Sequence, residues 1–419
     1  MAAKHALPVL RWSSRVFSVE LNGAPFYFAL ADRPEAEAPR LFGQLPRARR
    51  CFSLLLRSAD RVHAARLHAR LRDALLRELP PECRLAPMCS FLPEVRDSVL
   101  RGFFLQDGPD SPSPTPRLLE ALAQQHALLL CSYTPDREHR HWTQHVWSLE
   151  GGTRVDVGTG LCVVCSEAPR CHPAALSMIN SDVFRTFQDA RDVLTECVAV
   201  LPEASSVLEH LPSRAPSSAP PAFPVLVVEG LDATGKTTLT ESLRDALGAV
   251  LLRSPPQSLA PWRALFDREP PLLRRAFYAV GNYVTAEQAG QQAMKTPVVV
   301  DRFWHSTAAY AIATAVSGPP SGLPDPGSEV YRWPADLLRP SLVVLLTLDP
   351  EERRRRLRDR GQGKTEEERQ LDHNQLFRLR VEEAYRRISG PPCIAVDASP
   401  SADQLLQQVL LLVRSRCCL

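Results

Sequence analysis

The chain has 419 residues, 44% of them hydrophobic, and a formal charge of +3 at pH 7. That length allows two or three domains with a core each, and the near-balanced charge gives no bulk argument for a nucleic-acid partner. No apolar run reaches the roughly 20 residues of a membrane span, and 11 scattered cysteines fit reduced thiols better than a disulfide framework.

Residues 1–15 hold Lys4, Arg11 and Arg15 with Ser13 and Ser14, and no acid occurs before Glu20. Such a composition suits a short mitochondrial transit segment, although Pro8 interrupts an amphipathic helix. From Val16 the chain alternates: Phe17, Val19 and Leu21, then Asn22-Gly23, then Phe26, Phe28 and Leu30. Asn-Gly between alternating runs predicts a hairpin. Cys51-Phe-Ser-Leu-Leu-Leu reads as a strand, and a helix follows from about Ala59 to Leu79. Val62, Leu67, Leu71, Leu75 and Leu76 line its inner face, while Arg61, Arg66, Arg70, Arg72 and Arg77 cover much of the rest. A basic helix can meet RNA or anionic lipid, but without interleaved aromatic residues a solvated face is the plainer reading.

Further strand-like runs at Ala127–Ser132, His145–Leu149 and Leu161–Val164, with a helix near Ser181–Leu201, predict an α+β domain over residues 16–205. No catalytic set is legible in it. Cys162-x-x-Cys165 with Cys171-His172 has the spacing of half a zinc site; the other half is missing, so buried thiols on a strand are expected. His139, His141 and His145 read as surface histidines. At the C-terminus, Arg416 stands where a prenylation box needs cysteine. Residues 206–223 are Pro- and Ser-rich and read as a linker.

From Pro224 the pattern becomes strand and helix in turn. Strands are expected at Val225–Glu229, Val250–Arg253, Val298–Asp301, Leu342–Thr347 and Ile394–Asp397. Short apolar runs separated by helices predict an α/β fold, a five-stranded parallel sheet covered on both faces. The first strand runs into Gly230-Leu-Asp-Ala-Thr-Gly235-Lys236-Thr237-Thr238, which is G-x-x-x-x-G-K-T between a strand and a helix. The glycines let successive N–H groups turn inward on a polyphosphate, and the helix N-terminus adds partial positive charge there. Lys236 supplies a mobile cation for the phosphates, and the Thr237 hydroxyl is a Mg²⁺ ligand.

Asp301 ends a buried strand at the edge where such sheets bind ligands, so it can hold Mg²⁺, and Arg302 can grip a phosphate. Phe303 to Tyr310 begins a helix whose aromatic and hydroxyl groups could line a nucleoside pocket, and Phe277 upstream could stack on a base. Between Pro350 and Gly361 lie six arginines in eight residues, Arg353 to Arg360. The Gln362-Gly363-Lys364-Thr365 loop and a helix from about Glu366 to Ile388 follow. Arginines ahead of a glycine-containing loop suit a closing lid, with Arg354, Arg358 and Arg360 as catalytic candidates.

From Val225 onward the chain resembles the thymidylate-kinase branch of the P-loop nucleoside monophosphate kinases. Glu229-Gly-Leu-Asp-Ala-Thr-Gly-Lys-Thr is similar to that family's P-loop, Asp301-Arg302-Phe303-x-x-Ser306-x-x-Ala309-Tyr310 to its Asp-Arg-Tyr helix, and Asp397-Ala398-Ser399 to its last loop. The resemblance implies that Gly230, Leu231, Asp232, Ala233, Thr234, Gly235, Lys236, Thr237 and Thr238 bind ATP, with Ala398 and Ser399 flanking adenine. It places Asp232 near the acceptor sugar, Arg302 at its phosphate and Phe277 against its base, with Arg263, Gly281, Ser306 and Tyr310 in the same pocket. Lys236, Asp301 and Arg302 would be catalytic together with the lid arginines, and Thr237 and Asp301 would hold Mg²⁺.

Two departures matter. Ala233 stands where many of these kinases have an arginine, which moves the missing cation to the lid. Gly281 stands where the family reads thymine with an arginine, four residues after Phe277. Together with Arg253-Ser-Pro-Pro, Trp262-Arg263 and the long N-terminal region, this is similar to the mitochondrial UMP-CMP kinase 2 group. That likeness implies ATP- and Mg²⁺-dependent phosphorylation of CMP, UMP, dCMP and dUMP in mitochondria. The expected partners are small-molecule nucleotides and a homodimer mate, with no nucleic acid and no membrane span. Two alternatives stay open: a thymidylate or deoxynucleoside kinase, and a nucleotide-binding scaffold or switch. Against a switch, no guanine-reading Asn-Lys-x-Asp occurs.

Overall fold

The computed structural model describes residues 12–22, 24–35, 39–43, 50–108, 114–166, 182–213, 221–360 and 374–417, and only the backbone of residues 159 and 358–360. Two compact units divide the chain: Met1–Asn180 with Val316–Gly318, and Ser181–Ala315 with Pro319–Leu419.

Among the described residues of the first unit there are eight strands: β1 (Val16–Leu21), β2 (Ala24–Ala31), β3 (Cys51–Leu56), β4 (Arg84–Phe91), β5 (Leu100–Gln106), β6 (Leu128–Pro135), β7 (Trp142–Glu150) and β8 (Thr153–Cys165). They close into a barrel in the order β1-β2-β8-β7-β6-β3-β5-β4, and β4 returns to β1. Every neighbouring pair is antiparallel. Alternate side chains fill the interior, among them Phe17, Phe28, Cys51, Phe104, Cys131 and Tyr133. The outer face of β3 (Phe52, Leu54 and Leu56) packs under helices α1 (Arg61–Glu78) and α2 (Thr115–Gln125) through Leu67, Leu71, Leu75, Leu119 and Leu122. Burial on both faces is why β3 is apolar apart from Ser53, whose hydroxyl bonds Tyr133 OH at 3.0 Å.

Among the described residues the expected α+β layer is therefore a closed barrel with α1 and α2 on its outside. β4 and β5 escaped the sequence reading because Pro87 and Gly102 interrupt their alternation. The transit segment expected over residues 1–15 also overlaps folded chain. Trp12 and Arg15 are buried; Trp12 Nε1 donates to Gln144 Oε1 at 2.8 Å, and Arg15 Nε donates to Ser90 Oγ at 2.8 Å. Residues 1–11 lie outside the described residues, as do Cys171 and His172. Among the described residues no cluster of three potential metal ligands exists, and no helix is long and apolar enough to cross a membrane.

Among the described residues of the second unit five strands lie in the order β10-β11-β9-β12-β13, all parallel. They are β9 (Val225–Gly230), β10 (Val250–Arg253), β11 (Val298–Asp301), β12 (Leu342–Thr347) and β13 (Cys393–Asp397). Helices α3 (Phe187–Cys197) and α4 (Glu203–Glu209) precede the sheet, and α4 runs into the stretch expected to be linker. Then come α5 (Lys236–Leu247), α6 (Ala260–Phe266), α7 (Pro271–Gln292), α8 (Trp304–Ala315), α9 (Pro350–Arg360), α10 (Gln375–Arg387) and α11 (Ala402–Cys417). Leu239 and Leu243 of α5 join Leu405, Val409 and Val413 of α11 over one sheet face, while α7 packs on β10 and β11 and α8 on β9. Central β9 thus places the P-loop between the carboxyl ends of β11 and β12.

Burial pushes the Cys51 and Cys131 thiols up to about 12, with Asp107 adding to the effect at Cys51. A thiol that stays protonated inside the barrel is a poor nucleophile. Both cysteines should therefore resist a thiol-reactive dye at pH 8 until denaturant opens the barrel, as mass mapping of labelled sites would report; rapid native labelling of either would contradict a closed interior.

Candidate active site

The P-loop conformation needs its small residues. Gly230 has φ +146°, and a Cβ there would lie 2.8 Å from the Leu346 carbonyl oxygen. Gly235, at φ +89°, is the N-cap of α5, and Ala233 also lies in the left-handed region at φ +64°. Such a turn points successive N–H groups into one concavity, an anion site that the start of α5 reinforces. Lys236 is 8% exposed. Its Nζ donates to the Leu231 carbonyl at 2.7 Å and lies 3.8 Å from Asp232 Oδ1. Burial and then the Arg302 charge bring its pKa down to about 8, against the opposing pull of Asp232, Asp301 and Glu229. Thr234 Oγ1 closes the loop on Leu231 O at 2.8 Å. Leu231 is buried, Thr237 half-buried and Thr238 exposed at the first turn of α5.

Beside the loop, Glu229 is fully buried at the end of β9. Its Oε1 accepts from the N–H groups of Phe303 at 2.8 Å and Ser306 at 3.2 Å. Its Oε2 accepts from the Ser306 hydroxyl and from Tyr385 OH at 3.2 Å. Burial raises the Glu229 pKa; the Arg302 charge and these donors work against that rise. One carboxylate thereby caps the start of α8 and ties it to α10, and the sequence reading gave it no role. An acid closing an otherwise apolar strand was the available signal; Tyr385 carried none beyond helical spacing.

Arg302 links the two halves of the site. Its backbone is left-handed at φ +66°, and its N–H bonds Val228 O at 3.0 Å. Nη2 donates to Asp232 Oδ1 at 2.6 Å and Nη1 to Ser306 Oγ at 3.3 Å. Burial pulls its pKa down, but Asp232, Tyr310, Tyr385 and Glu229 together hold it well above the usual range. Asp301 is 6% exposed. Its Oδ2 lies 3.4 Å from Arg253 Nη2, and its buried Oδ1 has no hydrogen-bond partner. An unpaired carboxylate oxygen near the loop, together with the Thr237 hydroxyl, is the kind of hard oxygen set that Mg²⁺ takes.

The remaining candidates divide. Tyr310 is buried and acts electrostatically on Arg302. Arg263 Nε donates to Tyr278 OH at 3.2 Å, and the Arg302 charge reaches it too. Phe277, expected against a base, is 0% exposed and stacks on Phe266 at 4.6 Å with the planes 10° apart. One face of its ring is thus occupied by Phe266. A Cβ on Gly281 would lie 2.7 Å from Pro255 Cβ, so α7 can approach that loop only with glycine there.

At the donor edge, Ala398 N–H bonds Thr347 O at 2.8 Å, and Ser399 is exposed and bonds Asp397. Arg354 is exposed, with Nε 3.3 Å from Pro350 O and Nη2 3.8 Å from Glu351, so it closes on its own helix rather than on the loop. Arg356, not singled out from sequence, donates to Ala398 O at 3.2 Å and to Glu352. The side chains of Arg358 and Arg360 and the loop at 362–365 lie outside the described residues. The helix expected from about Glu366 is described only from Gln375, where Asn374 caps it.

Replacing Glu229 by alanine strands the buried Phe303 N–H and takes one partner from the Ser306 N–H and from the Ser306 and Tyr385 hydroxyls, which still bond Phe303 O and each other. A buried donor left unpaired costs about 1–3 kcal/mol, so Glu229→Ala should lose about 1–3 kcal/mol in urea unfolding. A loss below about 1 kcal/mol would show that the carboxylate does not hold α8.

The family model described as thymidylate kinase matches residues 228–409. The chain is 43% identical to the human protein named UMP-CMP kinase 2, mitochondrial, over 416 residues, covering 96% of this chain and 92% of that one. It is 29% identical over 198 residues to a thymidylate kinase of Xanthomonas euvesicatoria pv. vesicatoria, covering 44% of this chain and 80% of the relative. Among solved structures, thymidylate kinase from Candida albicans aligns with 47% of this chain and 93% of its own, at 20% identity and a TM-score of 0.36. The chain belongs to the UMP-CMP kinase 2 family, and residues 228–409 form its thymidylate kinase domain.

Proposed function

We propose that this protein transfers the γ-phosphate of ATP to pyrimidine nucleoside monophosphates, namely CMP, UMP, dCMP and dUMP, and that it works in mitochondria. The observation that carries the chemistry is the Arg302–Asp232–Lys236 cluster, in which a second phosphate-gripping cation is bonded to the phosphate-binding loop itself. One cation for the donor and one for the acceptor, sharing an aspartate, is an arrangement suited to passing a phosphoryl group between two nucleotides. The choice of pyrimidines is supported by the name of the human relative. It is also supported by Gly281, where Pro255 leaves no room for a base-reading arginine. The mitochondrial reading rests on the same name and on the basic, acid-free stretch at residues 1–11.

Phosphoryl transfer needs little covalent chemistry from a protein; positioning and charge neutralisation do most of the work. The P-loop N–H groups and Lys236 hold the donor's β- and γ-phosphates. Arg302, steered by Asp232 and Ser306, presents its guanidinium to the acceptor phosphate. Thr237 and Asp301 would hold Mg²⁺, which when bound neutralises charge on the migrating group. Ala398 and Ser399 border the adenine side. The lid arginines add cationic charge over the transferred group and exclude water.

Assayed side by side, CMP, UMP, dCMP, dUMP and dTMP should give fastest turnover with a cytosine or uracil nucleotide. A clear preference for dTMP would establish the thymidylate-kinase alternative instead. Lys236→Ala should lose at least about 10²-fold in turnover with an unchanged circular-dichroism spectrum. ATP binding without transfer to any monophosphate would favour a scaffold.

A further inference from the structure

The stretch ahead of the P-loop strand is built into the kinase unit. Val183, Phe184, Phe187, Ala190, Val193 and Leu194 are each at most 5% exposed, and α3 packs along α7. Four contacts fix its first residues. The Phe187 N–H donates to Asp336 Oδ2 at 2.7 Å, while Tyr283 OH of α7 donates to the other oxygen, Oδ1, at 2.7 Å. The Phe187 ring meets the Tyr283 ring edge-on at 5.2 Å. Trp304, the first residue of α8, donates its indole N–H to Phe184 O at 3.1 Å. Arg185 pairs with Glu329.

A four-residue stretch therefore holds α7, the start of α8 and the 329–336 segment together. Those two helices carry the acceptor side: Phe277 and Gly281 lie on α7, Ser306 and Tyr310 on α8, and Arg302 stands two residues before α8 begins at Trp304. The donor side is assembled separately, from the end of β9, the start of α5 and the loop after β13. A contact that sets the spacing of α7 and α8 acts on the acceptor site while the sheet fixes the ATP site.

We infer that Phe184–Phe187 is a strap that sets the geometry of the acceptor site, with Trp304 and Asp336 as its positioning residues. The inference deepens the proposed function and rests on its assignment of Arg302 and Ser306 to the acceptor. Trp304→Phe keeps an aromatic ring but removes the N–H that reaches Phe184 O together with part of the buried indole. Asp336→Asn keeps the shape but cannot accept from both Phe187 N and Tyr283 OH. Asp336 is assigned no substrate contact, and Trp304, within the stretch expected to line the pocket, is 1% exposed with its N–H on Phe184 O.

The test is steady-state kinetics of the full-length enzyme, with the best acceptor from the substrate panel and with ATP each varied at saturation of the other. Both variants should raise KM for the monophosphate about three- to tenfold, the effect of one buried hydrogen bond, and leave KM for ATP within twofold. Tyr283→Phe, which spares the Phe187 bond to Asp336, should act in the same direction and more weakly. Equal shifts in both KM values, or a lowered melting temperature with neither KM changed, would make the strap purely structural and overturn the inference. A wild-type enzyme that phosphorylates no monophosphate would instead overturn the functional reading beneath it.

Discussion

Four donors converge on the buried carboxylate of Glu229, and the rest of the site depends on that convergence. The group leaves water at the end of β9, which is costly unless every lone pair finds a partner. The first turn of α8 supplies two backbone N–H groups and a serine hydroxyl, and α10 supplies a tyrosine. Satisfying the charge therefore fixes where α8 begins. Arg302 stands just before that first turn, so it is delivered to Asp232 in the next strand–helix connection. A buried acid in the strand thus becomes a positioned arginine at the phosphate loop.

The same constraint explains which parts of the site were legible in the sequence. The P-loop is a local object: Gly230, Gly235, Lys236 and Thr237 declare themselves because backbone curvature and anion binding demand those residue types in that order. Asp301 and Arg302 were legible from their place at a strand's end. Glu229 and Tyr385 were not, because their partners lie 74 to 156 residues away and no local rule links such positions. Phe277 also has a partner that its spacing did not announce. Its spacing from Asp301 suggested a base platform, whereas Phe266, from another helix, already covers one face of the ring.

The N-terminal region shows what hydrophobic pattern can and cannot do. The hairpin at Asn22-Gly23 and the apolar β3 were readable, since alternation and two-sided burial leave a mark. Closure was not, because it depends on β4 pairing with β1 across more than 60 residues, and Pro87 disguises β4. Trp12, Gln144, Tyr133 and Ser53 form a hydrogen-bonded chain inside the barrel. Its interior is thereby filled by its own side chains. Arg15, counted from sequence as part of a targeting segment, is instead a buried structural cation bonded to Ser90.

The account's central claim is direct transfer between two nucleotides in one site, and following the γ-phosphorus itself tests it most directly. With γ-labelled ATP and UMP, the label should appear in the β-phosphate of UDP, with little inorganic phosphate formed and no labelled protein. Label released only as inorganic phosphate, or trapped on the enzyme, would contradict an acceptor site built around Arg302.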